Sequence, residues 1–302
     1  MAQTFVVTAT LLNVRSTPAV EPGNIVGKLG QGQRISADPT SSPSWLQVSS
    51  TSLTGFASSS FLRLDAAPPV AAPAAPAAPG VLPPAVNFPP SPQSLLTTTL
   101  SRHSPLATLS PRPRLAGQTR EARIAALHQI VTDLDVTRSV RYTPGSQTYC
   151  NIYAYDFCYL AAVYLPRVWW NSKALIAATA GASPEVIYDK TVHEMTANAL
   201  HRWLGEWGDD YGWQACPTIA NVQERANAGD VCLITAERME PTRPGHIVVV
   251  MPENTEHGAD RVPAGIRAPL QSQAGRINKT YFTSRWWMDP VQYRATGFWA
   301  HT

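Results

Sequence analysis

Between residues 66 and 118 the chain reads AAPPVAAPAAPAAPGVLPP and, further on, SPQSLL and SPRPRLAGQ. No other feature restricts the fold as much. Proline carries no amide hydrogen and has a fixed φ, so a dense Pro-Ala run sustains neither helix nor sheet and favours an extended, semi-rigid spacer. The expectation is two folded parts, a small domain over 1–65 and a larger one over 119–302, joined by a linker over 66–118. A length of 302 residues suits about two domains. The 27 prolines cluster, and 44% apolar residues suffice for at least one substantial core.

The first part alternates short β-prone runs with turns: FVVTATLLNVR, IVGKL, RISA, WLQVSS and TGFASSSFLRL. Gly and Pro fall between the runs at close spacing, which predicts a small all-β barrel. The residues Leu12-Asn13-Val14-Arg15-Ser16, Ile25-Val26-Gly27-Lys28-Leu29, Gly32, Trp45-Leu46-Gln47-Val48, Gly55-Phe56 and Ser60-Phe61-Leu62 resemble a bacterial SH3 domain in order and spacing. That resemblance implies binding to cell-wall peptide or glycan without catalysis.

From about residue 119 the pattern becomes helical. REARIAALHQIVTDLDV places Ile124, Leu127, Ile130, Val131 and Leu134 on one face. CNIYAYDFCYLAAVYL and VIYDKTVHEMTANALHRWLGEW predict two more helices. GDVCLITA, GHIVVVMPE, APLQSQAG and NKTYFTS then read as strands. Helices followed by antiparallel strands predict an α+β domain.

Cys150 follows a Gly/Ser loop and opens an apolar helix. Amides at a helix start, with the positive end of its dipole, stabilise a thiolate. A base is still required, and His246 heads the apolar strand IVVVM, where an imidazole can take the thiol proton and return it to a leaving amine. Cys150 and Cys158 lie about 12 Å apart along a helix axis, too far to bridge. A Cys216–Cys232 pairing is left open. His193-Glu194 begins a zinc-protease pattern, but position 197 is Ala, so HExxH fails. No CxxC or Cys/His zinc spacing, P-loop or GxGxxG occurs, which argues against a structural metal and against nucleotide chemistry.

Thr148-Tyr149-Cys150-Asn151, Gly229-Asp230-Val231-Cys232 and Gly245-His246-Ile247-Val248 resemble the NlpC/P60 and CHAP peptidoglycan hydrolases over roughly residues 140–282. The resemblance implies a papain-like domain with Cys150 as nucleophile and His246 as base, needing no metal or cofactor. CHAP-like relatives carry Glu-x-Asn on the strand after the His. Here Gln271-Ser272-Gln273 occupies the matching strand, with both glutamines on one face. Gln271 is expected to accept from the imidazole N–H, and Gln273 to support it or polarise the substrate. Glu253 is the rival, but its odd offset from His246 turns it to the other face. Tyr142 is matched to the tyrosine that relatives place beside the oxyanion, and Trp213 in DDYGW is a candidate for lining a glycan groove. Two departures stand out: a long Trp-rich insert between Cys150 and His246, and Asn151 where many relatives have Ser-Gly.

The implied function is hydrolysis of an amide bond in the wall stem peptide, by an endopeptidase or an N-acetylmuramoyl-L-alanine amidase. Peptidoglycan is the partner. A formal charge of +3 suits an anionic wall polymer and is too small to argue for nucleic acid. No apolar run is long enough to span a membrane. The start MAQTFVVTATLLNVR lacks the pattern of a secretory signal, so synthesis in the cytoplasm and action on the wall are expected. Delivery is then by phage-type lysis or by injection as an antibacterial effector, with an immunity protein and a secretion system as partners in the second case. The alternatives are a papain-like toxin that modifies protein side chains and a non-catalytic wall-binding or structural phage protein.

Overall fold

Short β-prone runs broken by Gly and Pro give seven strands in the first part of the chain. They are β1 (Gln3–Val7), β2 (Leu11–Arg15), β3 (Ile25–Gly30), β4 (Arg34–Pro39), β5 (Trp45–Ser49), β6 (Thr54–Ser58) and β7 (Leu62–Leu64). They form one antiparallel sheet in the order β3-β2-β6-β5-β4-β1-β7 around a core of Val7, Leu12, Val14, Leu29, Ile35, Val48 and Ala57. The run FVVTATLLNVR, a single segment by composition, splits into β1 and β2. Arg15 is buried and donates to Asn24 Oδ1 at 2.7 Å, which ties the loop after β2 to the sheet. Gly55 has to be glycine, because a Cβ there would lie 2.6 Å from the Arg15 carbonyl oxygen.

The computed structural model describes residues 3–42, 44–50, 53–65, 82–91, 103–114 and 117–302. Two units result, residues 1–84 with 171–185, and residues 85–170 with 186–302. The chain is thus of mixed α+β class with large antiparallel sheets. After β7 come α1 (Arg120–Leu134), α2 (Cys150–Leu160), β8 (Val168–Trp170), α3 (Ser172–Thr179), β9 (Val192–Glu194), α4 (Ala197–Trp207), β10 (Trp213–Ala215) and α5 (Ile219–Asn227). Strands β11 (Val231–Arg238), β12 (His246–Val250), β13 (Asp260–Val262), β14 (Gly265–Ala268), β15 (Leu270–Gln273), β16 (Lys279–Thr283) and β17 (Tyr293–His301) follow. Helix α3 falls in the first unit.

The second unit is built on a six-stranded antiparallel sheet, β10-β17-β11-β12-β15-β16. On one face Cys232, Ile234, Ala236, Val248 and Val250 pack with Val222 and Ala226 of α5. On the other, α4 meets β11 through the His201 Nδ1 contact to Thr235 Oγ1 at 2.9 Å, and α2 lies against β12 and β15. Tyr153 of α2 meets Ser272 of β15 at 2.5 Å between hydroxyl oxygens.

The second predicted helix ends earlier than its apolar run, at Leu160, where Ala162 takes φ of 57°. The third begins only at Ala197, because Thr196 caps it by accepting from the Ala199 amide. The segment before it forms β9 instead. Strands β11, β12, β15 and β16 match the runs read from sequence, whereas β10 and β17 were not predicted.

The spacer expected over 66–118 divides. Residues 66–81 lie outside the described residues. In the second unit, Val86 and Leu106 are buried, and the Val86 amide donates to the Tyr164 hydroxyl at 2.9 Å. Arg112 pairs with Asp133 of α1, and Arg114 donates to the Gly229 carbonyl. These described residues therefore pack as part of the second unit.

Candidate active site

Helix α2 differs from the other four α-helices among the described residues. Thr119, Asn171, Thr196 and Thr218 cap α1, α3, α4 and α5 with side-chain oxygens, but Tyr149 offers α2 no such bond. Its first amides stay available to whatever sits at the helix start, and Cys150 sits there. Cys150 is buried, 4% exposed as a residue. Burial pushes its pKa up, and the amides of Ile247, Asn151 and Cys150 itself pull it back down, with a smaller pull from the Arg167 charge. Because Ile247 directly follows His246, Cys150 meets β12 at the peptide linking those two residues. The start of that strand is open on this edge, since β15 pairs only with Val249 and Val250.

His246 is held on both sides of its ring. Nε2 lies 2.8 Å from Gln273 Oε1. The Gln273 amide nitrogen donates to the Ile277 carbonyl at 3.0 Å, so the Gln273 oxygen must face the imidazole as acceptor. The ring proton therefore sits on Nε2, and Nδ1 is the basic nitrogen. Trp286 packs edge-on against the ring with centroids 4.6 Å apart. Burial lowers the His246 pKa, the Gln273 bond opposes the shift, and the nearby Arg238 charge adds to it. Burial thus shifts both groups toward their uncharged forms, the thiol upward and the imidazole downward.

Gln271 does not take the role expected of it. Its amide nitrogen donates to the Pro269 and Ser284 carbonyls, at 3.0 and 2.9 Å, and its oxygen accepts from Trp286 Nε1 at 2.9 Å. It holds the tryptophan that packs on His246, and Gln273 alone bonds the imidazole. The expected alternation is present: Ser272 turns to α2, while both glutamines serve the His246 side. The choice between these two glutamines, two residues apart on one face, depends on where β15 pairs with β12, which the sequence does not carry.

Two other expected residues are committed elsewhere. Tyr142 is fully buried, and its hydroxyl donates to Asp156 Oδ2 at 2.7 Å, beside a bidentate Arg141–Asp156 pair. Its hydroxyl is spent on Asp156 and its ring packs on Tyr153, both in α2, so its place is in the support of that helix. Trp213 is likewise fully buried and donates to the Tyr164 carbonyl at 2.8 Å, so it lines no groove. Glu253 lies past the end of β12, bound to Arg261, Asn227 and the Ala259 amide, and its pKa is lowered to about 2, chiefly by Arg261. Glu194 pairs with Arg167 and touches Asn151. The four cysteines are unbridged, and Cys216 and Cys232 lie in one core cluster with Val222 and Ala226 of α5.

Sequence reasoning missed four contributors, Trp286, Asn198, Tyr293 and Arg238. Trp286 was legible only as one of two adjacent tryptophans after a strand. Gly245 precedes His246 because a Cβ there would lie 2.4 Å from both the Ala236 carbonyl and Asn198 Oδ1. Asn198 of α4 accepts from the Arg238 amide and donates to the Arg243 carbonyl, which fixes both ends of the β11–β12 connection. The β11–β17 pairing brings Tyr293 and Arg238 together, Tyr293 reaching His246 through Trp286, and no local signal marks them.

Chemically, the arrangement offers a nucleophile bonded by backbone amides, a base of defined tautomer and an acceptor that orients the base. No protein-family model matches the chain, and no curated protein matches it.

Proposed function

We propose that the chain is a cysteine hydrolase that cleaves an amide bond of the peptidoglycan stem peptide. The observation that carries the reading is the His246 Nε2 bond to Gln273, which leaves Nδ1 as a base on the residue next to the amide that binds Cys150. Cys150 Sγ attacks the scissile carbonyl while His246 takes the thiol proton, and the amides around the sulfur stabilise the developing oxyanion. His246 then gives its proton to the departing amine, and a thioester on Cys150 remains. Water attacks that thioester with His246 as base, releasing a carboxylate and restoring the thiol.

An uncapped helix opening at the nucleophile and laid on an antiparallel sheet suits a papain-like domain of the NlpC/P60–CHAP kind. The seven-stranded first unit suits the SH3-like wall-binding role that its residues resemble, and that favours a wall substrate over a protein side chain. The test is loss of turbidity of purified cell walls. Wild type is expected to clear them, and Cys150→Ala is expected not to. Clearing by both would remove Cys150 from the mechanism, and clearing by neither would favour a non-catalytic wall binder. Mass spectrometry of the digest then names the bond.

A further inference from the structure

A continuous row of side chains leads away from His246. Its ring packs on Trp286, Trp286 packs on Tyr293 with centroids 5.4 Å apart, and the Arg238 guanidinium lies over the Tyr293 ring, 5.0 Å from its centroid. Strand register explains the row. Ala236 pairs with His246 across β11–β12, and Arg238, two residues along β11, pairs with Tyr293 across β11–β17. The Arg238 backbone is fixed by Asn198, and its Nη1 donates to Gln292 Oε1 at 2.6 Å.

Arg238 has no carboxylate within ion-pair distance among the described residues, whereas Arg202 and Arg294 both pair with Glu237 beside it. Asp289 feels its charge, but the Asp289 oxygens are taken by the Gln292 side chain and the Val291 and Gln292 amides. A guanidinium has five N–H donors in a rigid fork; the Gln292 bond engages Nη1 and a further N–H is donated to the Tyr293 hydroxyl oxygen, which leaves the other donors and the hydroxyl proton for a ligand. Arg238 also lowers the His246 pKa, and a charge on Cys150 raises that of Tyr293, so both members of the row sense the reacting pair.

We propose that Arg238 and Tyr293 form a carboxylate-binding subsite next to Cys150 and His246, so that the preferred substrate carries a free carboxylate close to its scissile amide. This deepens the hydrolase reading and rests on it. The guanidinium fork donates to the carboxylate oxygens, and the Tyr293 hydroxyl supplies a further donor. An amide or ester at the same place on the substrate is disfavoured.

The test reads the thiol directly and needs no turnover. Iodoacetate and iodoacetamide alkylate Cys150 by the same displacement of iodide, but only iodoacetate carries a carboxylate. The ratio of their rates at Cys150, followed by peptide mass spectrometry in the full-length protein, is expected to drop about tenfold in Arg238→Met, the size of one charge-assisted hydrogen bond. Arg238→Lys is expected to keep most of the wild-type ratio, and it decides the matter if Arg238→Met does not fold. An unchanged ratio in Arg238→Met, the loss of preference in a folded Arg238→Lys, or a Cys150 that neither reagent reaches would overturn the subsite. If the ratio behaves as expected while walls are not cleared, the subsite stands and the hydrolase reading falls.

Discussion

Placing a carboxylate at position 273 tests the site most directly. Gln273→Glu keeps the shape of the side chain and puts a negative charge about 4 Å from the centre of the imidazole ring, given the 2.8 Å Nε2–Oε1 contact. At an effective dielectric of roughly 20 the attraction to an imidazolium is about 4 kcal/mol. Desolvating the new carboxylate takes back about half, which leaves roughly 2 kcal/mol, or about 1.5 pH units, in favour of the protonated ring. In the wild type, burial holds His246 below its ordinary value of 6.5. The variant is therefore expected to titrate above the wild type by that margin, and NMR of the ring protons against pH measures it. The low-pH limb of any Cys150 reaction should move upward with it, because the unprotonated base then appears only at higher pH. Gln273→Ala removes the acceptor without adding charge and is expected to slow turnover by about 10- to 1,000-fold, the scale of orienting and acid–base effects. A His246 pKa that moves by less than about 0.3 in Gln273→Glu would refute the claim that Gln273 is the imidazole's partner.

Gln271→Ala should act only through Trp286, costing less turnover than Gln273→Ala, and Trp fluorescence should report the loosened indole. Asp156→Ala leaves the fully buried Arg141 without its carboxylate and the Tyr142 hydroxyl without its acceptor; urea unfolding should show a loss of about 3–5 kcal/mol, and a loss under about 1 kcal/mol would contradict the buried pairing. Gly245→Ala forces a Cβ into the Ala236 carbonyl and is expected to cost about 1–3 kcal/mol of stability, with Cys150 reactivity disturbed through the adjacent His246. Acid should weaken the second unit: burial lowers His201 to about 4 from 6.5, so the folded state binds fewer protons than the unfolded chain. Stability is then full above pH 6.5 and falls as the pH drops toward 4, by roughly 3 kcal/mol at the limit, and His201→Gln should flatten that slope in chemical-denaturation midpoints.

Local signals carried much of this protein. Gly and Pro spacing marked the β-rich first part, since turn geometry is a property of single residues. Apolar periodicity placed α1. The Cys150 helix start and the His246 strand start were legible because each couples one reactive residue to one element boundary. Alternation along Gln271-Ser272-Gln273 put both glutamines on the correct face. The remaining features depended on contacts between distant segments. Register between β12 and β15 decides that Gln273, and not Gln271, meets the imidazole. The fate of Tyr142 follows from a buried Arg141–Asp156 pair, and that of Trp213 from the carbonyl of Tyr164, partners up to 49 positions away in sequence. Part of the Pro-rich stretch looked like a spacer by composition, yet Val86 and Leu106 are buried, because a chain without regular structure can still bury apolar side chains against a folded surface. The pairing of β11 with β17, which brings Arg238 and Tyr293 together, leaves no trace in either segment alone. Periodicity and turn chemistry act over a few residues, so the sequence determines which elements form, whereas strand order and register are fixed by the collective burial of the sheet's two faces.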